Sequence, residues 1–276
     1  MNILIVGNVI KDVYLSMDHR TEDFEEDRHG INWLNLGFNA SSHHFFHRTS
    51  TFGGAAISHD ILTKMGLSPS ISDSTLALTD DGYTISTPPT LYRYILTSDD
   101  NATYLTPATF TSAKFIAPST PPDYIFIDRS ANINSTTAEH IRTYLSSYVN
   151  TGLAIHLRDL NNPALLSLIP EANLIFLDGT PDQLVATPTS IPLDHKKIVF
   201  ISDDSLSCNS IIEPVTIDNL SKLTRLTAYS IASATILAAF LLGKSIEDSL
   251  RLARANLENS TLDSSLTLEE LEDFTY

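Results

Sequence analysis

Four histidines, His43, His44, His47 and His59, are the first residues in this chain whose type and spacing suggest chemistry. Imidazole is a common metal ligand, and His43 and His47 stand one helical turn apart. No carboxylate or cysteine follows them at ligand spacing, so they read as polar surface or substrate contact and no metal centre is expected. The single cysteine, Cys208, has no basic neighbour in sequence, which favours an inert thiol over a nucleophile. Asp203 and Asp204 are adjacent, and adjacent side chains point apart on a strand or loop, so they are not expected to work as a pair. Glycine numbers 10 of 276 residues, roughly half the usual share, and none lies between Thr180 and Leu242. Phosphate cradles need glycine because the backbone itself must approach the anion. That stretch is therefore poorly furnished for phosphate.

The elements that must position such groups can be read from the apolar runs. Ile3–Val6, Tyr124–Ile127, Leu153–Ile155, Leu174–Leu177 and Ile198–Ile201 are short, continuous and bounded by turn residues, as strands buried on both faces of a parallel sheet require. Between them, Thr136 to Asn150 is expected to be a helix with Ile141, Tyr144, Leu145 and Val149 inward, opened by a Thr136…Glu139 capping box. A second helix is expected over 246–258, and Thr267…Glu270 would cap a last short one. Leu226 to Gly243 is 18 residues without a charge, but its hydroxyls favour a buried core helix over a membrane span. Strands alternating with helices predict a three-layer α/β/α domain. Two stretches break the rhythm: the long Asp12–Thr51 segment with its Glu22–Asp27 acidic patch, and the hairpin 92–97/102–105. They predict a small β-rich lid, built from insertions at about 13–51 and 83–112 of a single domain spanning 1–276. Residues 68–90, rich in Ser, Thr and Pro, are expected to be loop.

Composition narrows the partners. The formal net charge is −16, which argues against nucleic acid and anionic lipid, whose binding needs Lys and Arg. The lone cysteine suits a reducing compartment, and the apolar start at Met1–Ile10 meets its first basic residue, Lys11, only afterwards, the reverse of a signal peptide. A cytoplasmic protein is expected.

In order along the chain, Val6-Gly7 is followed five residues later by Asp12; Gly53-Gly54 opens a helix with Ser58 four residues on and Gly66-Leu67 at its end; and Gly243-Lys244-Ser245 breaks two C-terminal helices. This ordered set resembles the ribokinase-like (PfkB) sugar and nucleoside kinases over most of residues 1–275. The resemblance implies that fold, with Asp12, Gly53, Gly54 and Ser58 binding a polyhydroxy substrate: Asp12 would accept hydrogen bonds from vicinal hydroxyls, and the glycines would let a ring approach the backbone. Ser58 stands where the family has Asn.

The resemblance also marks departures. The family's Gly-Ala-Gly-Asp, whose amides form an anion hole and whose Asp is the general base, falls on Thr227-Ala228-Tyr229-Ser230, so Ser230 stands at the base position. The magnesium-organising Asn-x-x-Glu falls at Asp178-Gly179-Thr180-Pro181, with Asp182 beside it, and the nucleotide-bordering glycines fall at Ser202–Ser205. The expected function is a catalytically degenerate family member binding a small sugar, polyol or nucleoside. The alternatives are an active Mg-ATP-dependent kinase with an unrecognised base, or a lid-mediated scaffold. The resemblance further implies a homodimer joined through the lid.

Overall fold

The computed structural model describes residues 1–17, 45–73, 76–79, 82–85, 91–98, 101–105, 112–158, 160–182, 197–215, 225–259 and 267–268. In chain order the elements are β1 (Asn2–Val6), β2 (Val9–Met17), β3 (Phe45–Gly54), α1 (Ala55–Lys64), β4 (Ser68–Ile71), β5 (Leu76–Thr79), β6 (Gly82–Ile85), β7 (Leu91–Ser98), β8 (Asn101–Leu105), β9 (Tyr124–Ile127), α2 (Ser135–Ser147), β10 (Gly152–Leu157), α3 (Pro163–Leu166), β11 (Leu174–Asp178), β12 (Lys197–Ile201), β13 (Ser205–Cys208), β14 (Ile211–Pro214), α4 (Arg225–Leu241) and α5 (Ile246–Asn259). The chain divides into two compact units. The larger comprises Met1–Ile10, Phe52–Leu91 and Thr109–Tyr276, and the smaller Lys11–Thr51 and Tyr92–Ala108.

The larger unit is built on an eight-stranded sheet in the order β14-β13-β12-β11-β10-β9-β1-β4. Its six strands from β12 to β4 run parallel, and β13 and β14 add an antiparallel margin. Alternation along each strand feeds two separate cores. Ile3, Ile5, Phe126, Ala154, Leu174, Phe176, Val199 and Ile201 pack beneath α1, α4 and α5. Leu4, Val6, Ile125, Ile127, Leu153, Ile155, Ile175 and Leu177 pack beneath α2 and α3. Strands buried on both faces explain why the sequence shows continuous apolar runs there, and the result is the expected three-layer α/β/α sandwich.

The uncharged segment 226–243 is mostly the helix α4, which is buried from Ala228 to Ala239. Among the described residues, no helix is long and apolar enough to cross a membrane. Gly243 ends α4 at φ +82°, with the Lys244 amide donating to the Ala239 carbonyl, a Schellman-type stop. Ser245 then caps α5 by accepting from the Asp248 amide at 3.0 Å.

Three expectations are corrected. Residues 68–90 are not simply loop, since they contain β4, β5 and β6. Pro69 is tolerated in β4 because this is the sheet's edge strand, paired on one side only. Helix α2 is capped by Asn134, whose side chain accepts from the Thr137 amide at 2.9 Å, and not by Thr136. It stops at Ser147, because Tyr148 leaves the helical region at φ −130°, and Val149 is left 85% exposed instead of inward.

The smaller unit carries a four-stranded sheet, β3-β2-β7-β8, in which β7 and β8 form the expected hairpin with Ser98 opposite Asn101. The Glu22–Asp27 patch, His43 and His44 lie outside the described residues, as does most of the 267–270 segment.

Candidate functional site

Chain order fixes where a ligand crevice belongs. From β1 the chain passes through α1 to β4 on one side, and later returns to β9 on the other side of β1. The strand order reverses between β1 and β9, and in open α/β sheets ligands bind outside the carboxyl ends of the strands at such a switch point. The residues that follow these two strands are Gly7-Asn8 and Asp128-Arg129-Ser130.

Those residues meet the opening of α1. Gly54 has φ +62°, the Ala55 amide donates to the Asn8 carbonyl at 3.0 Å, and a Cβ on Gly54 would lie 2.4 Å from that same oxygen. No other residue fits there. A Cβ on Gly7 would press on Asp128 and Ser130 at 2.9 and 3.0 Å. Ser58, in the second turn of α1, donates to Asp128 Oδ2 at 2.5 Å, while the Ser130 amide donates to Oδ1 at 2.8 Å. Asn8 completes the knot, its amide donating to Ser130 Oγ and its side-chain nitrogen to the Ser130 carbonyl. Gly54 and Ser58 are therefore brought together as buried parts of one network, and Gly53 is the buried residue just before it. Asp12 lies on β2 in the smaller unit, and its side chain lies outside the description.

A second polar group crowns the next strands on the α4 side of the sheet. Parity carries Phe126 to Asp128, Ala154 to His156 and Phe176 to Asp178, so a polar group stands at or near the end of each strand on the face that carries α1, α4 and α5. His156 Nε2 contacts Asp178 Oδ1 at 2.8 Å, and Arg129 donates to Oδ2 from Nε and Nη2 at 2.9 and 2.6 Å. Burial pushes the Asp178 carboxyl upward, but hydrogen bonding and charge from His156, together with Arg129, outweigh it and hold the group below the usual carboxylate range. The Arg129 guanidinium lies 5.1 Å from the centre of the Tyr229 ring, and the Tyr229 hydroxyl donates to Asp203 at 2.8 Å. Ser202, Asp204 and Ser205 form a tight hydroxyl–carboxylate turn beside it.

Of the four residues at the anion-hole position, Thr227 is in helix with its side chain outside the description, and Ala228, Tyr229 and Ser230 are buried. In a helix that begins at Arg225, only the first four amides lack an intrahelical acceptor, so those of Tyr229 and Ser230 are spent on the preceding turn. The sequence reading did not single out Asn8, Asp128, Arg129, Ser130 or His156. The signal available was the recurring apolar-x-polar ending of successive strands. Among the described residues, no group of three or more His, Cys, Asp or Glu side chains is arranged to hold a metal ion.

No sequence-family model matches the chain, and no curated protein matches it either. Solved structures do. A ribokinase from Arabidopsis thaliana complexed with ribose and ATP matches with a TM-score of 0.67 at 12% identity, covering 99% of this chain and 98% of that one. The chain has the ribokinase fold. A ribokinase from Cryptococcus neoformans in complex with ADP matches with a TM-score of 0.64 at 14% identity over 99% of both chains. A nucleoside kinase from Methanocaldococcus jannaschii, an archaeal member of the ribokinase family, matches with a TM-score of 0.58 at 11% identity, covering 99% and 97%. Each of these matches covers nearly the full length of both chains.

Proposed function

We propose that this chain is a divergent member of the ribokinase-like (PfkB) family that binds a small polyhydroxy ligand, a sugar, polyol or nucleoside, without phosphorylating it. The observation that carries the reading is the content of the first turns of α4. Where phosphoryl transfer requires free amides and a proton acceptor, the amides of Tyr229 and Ser230 are turned into the helix, the Tyr229 ring lies against Arg129, and Ser230 is buried. A hydroxyl is a poor base at neutral pH. Mg-ATP does not suit the neighbouring groups: the Asp178 oxygens are occupied by Arg129 and His156, and Asp203 and Asp204 would face the triphosphate with negative charge. The ligand half is better preserved, with Gly53, Gly54 and Ser58 around the switch point and Asp12 expected to supply hydroxyl recognition. The reading places the protein in the reducing cytoplasm and pairs two copies through the lid.

Titration calorimetry with Mg-ATP and a turnover assay over a panel of sugars and nucleosides test this. Neither nucleotide binding nor phosphorylation is expected, while at least one polyhydroxy compound should bind and lose affinity in Asp12→Ala. Phosphorylation of any hydroxyl substrate would establish an active kinase instead. Unchanged behaviour of Asp12→Ala, with no ligand found, would favour the scaffold.

A further inference from the structure

Resting on that reading of a polyhydroxy ligand, we infer that Asp128 sets the charge of what the crevice accepts: neutral or cationic compounds, with phosphorylated and carboxylate-bearing ones excluded. Asp128 has no exposed surface, and both its oxygens accept hydrogen bonds, from Ser58 and from the Ser130 amide. It lies against the opening of α1, whose first turn contains no acidic residue of its own. A helix N-terminus at a switch point would ordinarily attract an anion, through its unpaired amides and positive dipole end. Here the chain's own carboxylate meets that end, and the Ala55 amide is already given to Asn8. Arg129, the cation next to Asp128 in sequence, is committed to Asp178. An anionic group entering the crevice would thus meet the Asp128 carboxylate, which is buried away from the solvent that would screen it. Asp128 acts by its field, because it is sealed from the ligand. Gly7 is what lets it sit there, since a Cβ at that position would press on the Asp128 side chain at 2.9 Å.

The test is a binding panel of matched pairs: ribose with ribose 5-phosphate, and glucose with gluconate and glucosamine. The native protein should bind the uncharged member of each pair at least about tenfold more tightly than its anionic counterpart, a difference well within calorimetric reach. Glucosamine should bind no less tightly than glucose. Asp128→Asn keeps one acceptor for the Ser130 amide and lets the Ser58 hydroxyl accept from the new NH2, while removing the charge, and should narrow the gap. Anions bound as tightly as neutral compounds, or a gap unchanged in Asp128→Asn, would overturn the role of Asp128 and leave the polyhydroxy-ligand reading intact. Binding of none of the five compounds would overturn both. Should Asp128→Asn fail to fold, the native protein decides alone: glucosamine bound more weakly than glucose overturns the inference.

Discussion

At the scale of single residues, the polar crown beneath α4 is held by a buried ion pair whose halves depend on each other. Arg129→Ala leaves the Asp178 side chain, only 14% exposed, without its guanidinium partner, and should cost about 3 kcal/mol in chemical denaturation. The double change Arg129→Ala/Asp178→Ala should cost less than the sum of the single ones, as expected for groups in direct contact. The pH dependence has a definite sign. The Asp178 carboxyl is held below its unfolded value, so its contribution is present above about pH 4 and is lost as pH falls through the lower folded value. Acid unfolding of Asp178→Asn should show a shallower decline below that pH. Residue identities at the carboxyl ends were only partly legible in the sequence. Gly53, Gly54 and Ser58 announced themselves by pattern. Asp128 and His156 did not, because a polar residue after an apolar run reads equally well as the start of a loop.

At the scale of elements, capping decides where helices begin and composition misleads about strands. The Thr136…Glu139 spacing fits a capping box, yet Asn134 is an equally strong cap and its side chain reaches the Thr137 amide first. Asn134→Ala should therefore destabilise the protein by about 1 kcal/mol, while Thr136→Ala should be nearly silent, both measured by thermal or urea unfolding. The five buried parallel strands were legible because burial on both faces leaves an unbroken apolar signature. Strand β4 was not: four residues containing two serines and a proline carry no such signature, and only its pairing with β1 makes it a strand. Likewise β13 and β14 lie at the sheet margin, where Ile212 is exposed and the pattern weakens.

At the scale of the whole molecule, the α/β/α fold followed from alternation of elements, and the net charge of −16 adds a property that no local motif carries. Dispersed like charge repels itself in the compact state and is relieved by screening. The melting temperature should rise when sodium chloride is increased from about 10 mM to about 150 mM at pH 7, a range over which the Debye length falls from about 30 Å to about 8 Å. The position of β1 between β9 and β4 has another consequence. Ile3 aligns with Tyr124 on one side and Pro69 on the other, so the strand that joins β9 to the edge strand β4 begins life with neither neighbour available. A growing polypeptide can assemble β9, α2, β10 and β11 from neighbouring segments, but β1 must wait for more than a hundred further residues before its gap closes. Loop closure over that span is slow. During synthesis, Ile3, Ile5 and Val6 form an apolar ribbon left without a partner, and a chaperone that shields such ribbons should engage this stretch first.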